Sequence, residues 1–306
     1  MEAERFSKEL LRLLPGAQLL QNEPMDRHTT FRVGGPADWM LLARSAEEIA
    51  RARRFCREEG VPCTILGNGS NVVVRDGGLR GLVILIGEGM SDCRFEGTKA
   101  VAQAGRRLTA LSRDALLRGL AGLEFAGGIP GTVGGAVCMN AGAYGGEMKD
   151  VLAAVTYLDE SDKIVRRVLQ QGDFSYRNSI FLKNGWIVTE AEFALAPDDG
   201  QARARYDDYS ARRRQKQPLA YPSAGSTFKR PEGHYAGALI EQAGLKGMCA
   251  GGAQVSELHA GFVVNRGGAT AQDILSLIAL IRKRVLEQSG VLLEPEVRVL
   301  GEDIPD

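Results

Sequence analysis

Apolar residues recur along this chain at two spacings, and the spacings divide it into elements. Between Ala37 and Ala43 the run ADWMLLA reads as a strand, and the following SAEEIARARRFCREEG reads as a helix. Ser45 and Glu48 stand three apart at its start, the spacing of a capping box, and Gly60 supplies the stop. A strand at residues 64–66 comes next, then the loop GNGSN and β-rich segments at residues 72–74 and 82–86. These short connections predict a compact βαβ-like unit. A second block carries a strand near residues 100–104, the helix LTALSRDALLRG, a long glycine-rich stretch, and strands at 151–158, 164–169 and 186–195. Residues 201–217 read as a polar helix leading to a third block. There a short helix near 236–243 and a strand at 261–264 precede a long amphipathic helix over 271–289. In that helix Ile274, Ile278, Ile281 and Val285 recur at spacings of three and four and mark its buried face. Gly290 ends it, and the extended segment VLLEPEVRVLG follows. No internal repeat interrupts this mixed α+β layout.

Composition narrows the function classes. The 306 residues suffice for two or three domains. Formal net charge is zero, with 44% hydrophobic and 25% charged residues, so no general field invites nucleic acid. The cysteines Cys56, Cys63, Cys93, Cys138 and Cys249 show no metal-ligand spacing, so a reduced, cytoplasmic protein without a metal centre is expected. The start MEAERFSKELLRLLPG is charged and lacks the apolar core of a signal peptide, and no apolar run is long enough for membrane insertion.

Glycine changes the picture. Of 38 glycines, eight fall between Gly127 and Gly146. The first segment of interest, LGNGSN, follows a strand and begins like a dinucleotide fingerprint with Gly67 and Gly69. Val72 holds the third glycine's position, so it is not a Rossmann site. Two readings stay open: a turn whose backbone N–H groups hold an anion, or a structural strand–strand turn. The second segment, GLEFAGGIPGTVGGAVCMNAGAYGGEM, has no lysine or arginine between Arg118 and Lys149, which excludes a P-loop. Glycine at this density costs backbone entropy, and is tolerated where the chain takes positive φ or approaches a ligand closely. A bend-rich connection packed on the core is the plainer alternative. Together the two segments favour a dinucleotide held by backbone amides, and FAD suits them.

Both segments resemble the flavin-binding signature of the PCMH, or vanillyl-alcohol-oxidase-type, FAD fold. More narrowly, the chain resembles the UDP-N-acetylenolpyruvoylglucosamine reductase family, from HTTFRVGGPADWML to LEPEVRVLG. The resemblance implies a two-part FAD-binding domain, residues 1–88 joined by 294–306 and residues 89–202, with an α+β substrate-binding domain at 203–293. It implies noncovalent FAD held by Leu66, Gly67, Asn68, Gly69, Ser70 and Asn71 in the first segment. In the second it implies Gly127, Gly128, Ile129, Pro130, Gly131, Thr132, Gly134, Gly135, Asn140, Ala141 and Gly145. NADPH is the implied co-substrate, and it uses the same pocket as the UDP-sugar in turn.

Three further positions match the family's reacting groups: Arg177 in FSYRNSIF, Ser226 in AGSTFKRP and Glu296 in LEPEVRVLG. Read alone, the arginine is a surface ion-pair residue, the serine a turn residue, and the glutamate part of a solvated face shared with Glu294 and Arg298. Their joint match promotes them. The implied reaction adds a hydride to the terminal carbon of an enolpyruvyl ether carried by UDP-N-acetylglucosamine. Arg177 would stabilise the developing enolate, a protonated Glu296 would donate a hydrogen bond to it, and the Ser226 hydroxyl would deliver the final proton. Tyr176, Lys216 and Lys229 are implied substrate contacts, the lysines also being candidates to assist Ser226. Arg230 departs from the asparagine some members carry after the motif's lysine, and no long tyrosine-bearing loop is present, which suggests the shorter subtype. A monomer without nucleic-acid partners is expected. The competing readings are a noncovalent-FAD oxidase of a sugar or alcohol on the same fold, and a flavin-binding module without activity. His28, His234 and His259 all lie outside the glycine segments, which counts against covalent flavin.

Overall fold

The structure is a computed structural model and describes residues 2–304. It separates into two compact units. The first holds residues up to Gln21, Trp39–Asn68 and Gly81–Arg212. The second holds Asn22–Asp38, Gly69–Arg80 and the residues from Arg213 onward. This grouping cuts the chain differently from the division expected at residues 88 and 202.

In the first unit the dominant element is a five-stranded antiparallel sheet. Its order is Ile164–Val168, Leu152–Leu158, Ile187–Ala194, Lys99–Gln103 and Cys93–Glu96. Alternation along Leu152–Leu158 puts Val155 and Tyr157 in the core on one pleat, while Leu152, Ala154 and Leu158 are buried as well. The sheet is therefore covered on both faces at its centre. A parallel pair, Cys63–Leu66 beside Leu82–Leu85, belongs to a four-stranded sheet and leads directly into the loop at Gly67. The helix Ala46–Glu58 packs Ile49, Ala52, Phe55 and Cys56 into the same core. Ser45 caps it by accepting the Glu48 N–H at 3.1 Å. The reciprocal half of the expected capping box is absent: the Glu48 carboxylate turns to the Arg44 N–H at 2.7 Å and to the Arg44 guanidinium. A charged partner outcompetes the Ser45 amide for that carboxylate.

The N-terminal helix Glu2–Leu13 was not expected from the sequence. Phe6, Leu10 and Leu14 are four apart and all buried, so its signal was present but short. A second omission is the short helix Val133–Cys138 inside the glycine-rich stretch, where Gly134 and Gly135 lower helix propensity. Tertiary packing overrides that preference: Val133 and Val137 are fully buried.

The second unit is built around the helix Ala271–Ser289, which lies on a three-stranded antiparallel sheet, Cys249–Ala250, Ala253–Val255 and Val263–Asn265. Ile274, Leu277, Ile278, Ile281 and Val285 form its buried stripe, as the periodicity predicts. Its N-terminus is satisfied twice. Thr270 and Asp273 form a complete capping box, and Asp76 accepts the Ala271 and Gln272 N–H groups at 2.8 and 2.9 Å. The extended C-terminal segment contributes the strand Arg298–Leu300, which pairs in parallel with Val72–Val74.

Ile281 is completely buried in this second core. Its replacement by alanine should destabilise the unit by about 2–5 kcal/mol through lost burial and residual cavity, measured as a lower urea midpoint with unchanged far-ultraviolet dichroism.

Candidate active site

In the first unit the two glycine segments meet. Leu66 ends a buried strand, and Gly67 then passes so close to Thr132 that a Cβ on it would lie 2.6 Å from the Thr132 Oγ1. Asn68 donates its side-chain amide to the Pro130 carbonyl. Gly131 and Thr132 are fixed from behind, since Leu108 N donates to Gly131 O and Val133 N to Arg106 O, both at 2.9 Å. Gly134 is pressed against Ala104, where a Cβ would meet that residue's own Cβ at 2.9 Å. The amide N–H groups of Gly67, Asn68, Gly131, Thr132 and Gly135 donate to no acceptor among the described residues. Partial positive charges clustered on a tight backbone suit a pyrophosphate without any lysine. A dinucleotide such as FAD fits this cradle, because any side chain at Gly67 would fill it.

The remainder of the stretch is committed to packing. Gly127 lies beneath the Tyr206 ring, and Gly146 beneath Phe125. Ala141 uses both backbone groups internally, its N–H toward Ala136 O and its carbonyl toward Met148 N. Gly145, at φ +90°, follows Tyr144 in a tight turn joining Gly142–Ala143 to Gly146–Glu147. Tyr144 stacks on Tyr209 of the helix Ala202–Lys216, with centroids 4.6 Å apart and 6° between planes. Gly128 and Ile129 complete the turn before Pro130, with Ile129 N bonded to Ala126 O at 3.1 Å.

Arg177 also lies in this unit. It occupies the tip of the hairpin formed by Phe174–Ser175 and Asn178–Ser179, in a left-handed conformation at φ +53°. Its guanidinium is half-buried, reaches the Gly142 carbonyl at 3.4 Å and lies over the ring of the exposed Tyr176, 5.1 Å from the centroid. Beneath it is a residue that sequence reasoning assigned differently. Asn140 is fully buried and its side chain makes three hydrogen bonds. Nδ2 donates to Glu147 Oε2 at 2.9 Å and to Ser175 O at 3.2 Å, while Oδ1 accepts from Lys149 N at 3.0 Å. Partial burial pushes the Glu147 carboxyl up, but hydrogen bonds from Lys149 and Asn140 and the charges of Lys149 and Arg177 outweigh it. The group therefore ionises below the usual glutamate range. Nothing in the local sequence around Glu147 announces this arrangement, in which Asn140 and Lys149 bond the carboxylate and the charge of Arg177 comes from a separate hairpin.

In the second unit Gly69 takes φ +58°, and a Cβ there would lie 2.0 Å from the His28 carbonyl oxygen. Ser70 is half-buried beside it, and Asn71 donates its side-chain amide to the Glu296 carbonyl at 3.1 Å. The motifs bearing Ser226 and Glu296 lie side by side as two extended segments joined by an isolated antiparallel bridge. Glu296 N donates to Thr227 O at 2.8 Å, Lys229 N donates to Glu294 O at 2.9 Å, and Phe228 and Pro295 face each other. Thr227 is completely buried and accepts the Val263 N–H, which leaves Ser226, on the opposite pleat, exposed. Glu296 is half-buried. The Lys229 ammonium pairs with Glu294, and Lys216 is exposed at the end of its helix. Among the described residues no cluster of His, Cys, Asp and Glu could hold a metal, and no helix is long and apolar enough to cross a membrane.

Comparison with known proteins agrees with this arrangement. Residues 37–167 match the FAD binding domain family, and residues 217–300 match the C-terminal domain of UDP-N-acetylenolpyruvoylglucosamine reductase. A UDP-N-acetylenolpyruvoylglucosamine reductase of Clostridium novyi (strain NT) is 48% identical over 299 residues, 97% of each chain. One of Alkaliphilus oremlandii (strain OhILAs) is 47% identical over 304 residues, 99% of this chain and all of the relative. The crystal structure of the Thermus caldophilus reductase superposes with a TM-score of 0.78 at 35% identity, covering 92% of this chain and 98% of the other.

Gly67→Ala places a methyl group in the cradle against Thr132. The purified variant should keep its fold by circular dichroism yet lose most of its bound flavin, read from the ratio of visible to 280-nm absorbance. Full flavin occupancy in a well-folded variant would remove Gly67 from the cofactor site.

Proposed function

The chain belongs to the UDP-N-acetylenolpyruvoylglucosamine reductase family, and from that membership we propose that it reduces UDP-N-acetylglucosamine enolpyruvate to UDP-N-acetylmuramate with electrons from NADPH. It does so as a cytoplasmic monomer supplying peptidoglycan synthesis. FAD, when bound, would supply the redox chemistry: hydride taken from NADPH and given to the terminal carbon of the enolpyruvyl double bond. The backbone N–H groups of Gly67, Asn68, Gly131, Thr132 and Gly135 would hold its pyrophosphate.

The remaining work falls to side chains. As the terminal carbon gains hydride, negative charge develops at the adjacent carbon and spreads into the substrate carboxylate. Arg177 faces that charge as a fixed cation, which costs no reorganisation at the moment of reaction. Glu296, in its protonated form, donates a hydrogen bond to the same group. Ser226 delivers a proton to the carbon and regains one from solvent. Tyr176, Lys216 and Lys229 hold the UDP-sugar.

The observation that carries this reading is the pairing of the Ser226 and Glu296 segments. Two motifs far apart in sequence are joined by the Glu296–Thr227 and Lys229–Glu294 backbone hydrogen bonds, so proton donor and carboxyl share one rigid platform. The oxidase reading is set aside by the family match, which extends through the C-terminal domain at 217–300.

Anaerobic NADPH should bleach the visible flavin band, and the enolpyruvyl sugar should restore it without oxygen; recovery with oxygen alone would reinstate an oxidase. Ser226→Ala should bleach normally but regain colour about 10²–10⁴-fold more slowly with the enolpyruvyl sugar. Near-normal turnover would mean another group donates the proton.

A further inference from the structure

Arg177 stands on a hairpin tip with a backbone conformation that arginine adopts reluctantly, so something must hold it there. The hairpin Phe174–Ser179 has only two ladder pairs, too few to fix the direction of a long side chain. The second hairpin below it, Gly142–Glu147, is as short. One fully buried side chain joins them. Asn140 donates both amide hydrogens, one to Ser175 O in the arginine's hairpin and one to the Glu147 carboxylate in the other, and accepts the Lys149 N–H. Gly142, whose carbonyl the Arg177 guanidinium reaches, is the cross-strand partner of Glu147. The arginine, the carboxylate and the amide thus form one connected set within the first unit.

We propose that Asn140 and Glu147 are positioning residues for Arg177: Asn140 locks the Ser175–Arg177 turn to the Gly142–Glu147 hairpin, and Glu147 orients the guanidinium toward the substrate. The proposal rests on the assignment of Arg177 to the enolate, and it moves Asn140 from the cofactor to the arginine. Its three hydrogen bonds occupy both amide hydrogens and the carbonyl oxygen, which leaves the side chain no donor for flavin. No other residue of this size offers two donors and an acceptor in one plane. Aspartate keeps the shape but loses both donors and sets a second carboxylate beside Glu147.

The test is a double-mutant cycle on the holoenzyme. Asn140→Asp, Glu147→Gln and Arg177→Lys are made singly, and each of the first two is combined with the third. Turnover with the enolpyruvyl sugar is followed together with the flavin-to-protein ratio. Asn140→Asp should keep its flavin and lose about 10²-fold in kcat, with KM changing far less, as expected when a reacting group is displaced. Glu147→Gln retains an oxygen acceptor for Asn140 and should lose about tenfold, because it gives up only the charge. In the Arg177→Lys background neither substitution should add a further loss, since there is no longer a guanidinium to position. Independent, multiplicative losses would overturn the proposal, and so would loss of flavin from Asn140→Asp, which would return that residue to the cofactor site. If Asn140→Asp fails to fold, the Glu147→Gln arm decides alone. A wild-type protein inactive with the enolpyruvyl sugar would overturn the functional assignment and this proposal together, whereas an active wild type with multiplicative losses overturns the proposal only.

Discussion

Glycine backbone packed against neighbouring oxygens, at distances that leave no room for a Cβ, is the constraint on which the rest of this structure depends. At Gly67 the intruding atom would be a threonine hydroxyl, and at Gly69 a carbonyl oxygen. Such contacts bring donors from separate segments to within the width of one ligand group, and they do so without charge. A lysine-rich loop would bind a pyrophosphate through a flexible cation. Here the field comes from peptide dipoles held by hydrogen bonds behind them, so the geometry exists before the ligand arrives. The entropy that glycine surrenders on folding is offset by the two cores on which these segments lie.

The same economy explains the distribution of side-chain chemistry. The cradle's own segments carry no lysine or arginine, although Arg106 and Arg107 border it through their backbone, and Arg177 lies instead against Gly142 and Tyr176. The first unit thus presents a cation, and the second presents a hydroxyl and a carboxyl on two bridged extended segments. Each cluster is rigid within its own unit, whatever the other carries.

Much of the fold was legible where one periodicity dominates. The buried stripe of Ala271–Ser289 and four strands of the five-stranded sheet follow from apolar spacing, while its short edge strand Cys93–Glu96 was not anticipated. What escaped was short or contradicted by local preference. Glu2–Leu13 has its apolar residues too thinly spread to stand out, and Val133–Cys138 becomes helical because packing overrides two glycines. The strands Cys249–Ala250 and Ala253–Val255 are too short to show a period at all. The candidate site was read as a set of motifs, because Gly67, Ser226 and Glu296 lie in runs of unusual composition or in runs resembling a known family. The network under Arg177 was not. Asn140 is singled out in sequence only through the family resemblance, as a cofactor residue, and Glu147 not at all; the bond from Asn140 to Ser175 is visible only in the fold.

The parallel pairing of Arg298–Leu300 with Val72–Val74 bears on the order in which the molecule is made. The second unit draws on three separated stretches of chain, and its strand Arg298–Leu300 is made only after every residue of the first unit. Until then Val72–Val74 has an open hydrogen-bonding edge, and the apolar residues around it lack their cover. The first unit contains no residue beyond Arg212 and can close earlier. Synthesis therefore imposes a sequence of events, with the first unit able to close first and the second waiting for the strand that completes it. In that interval the nascent chain exposes a sticky edge, and holding it apart from its neighbours is work for the cell's chaperones.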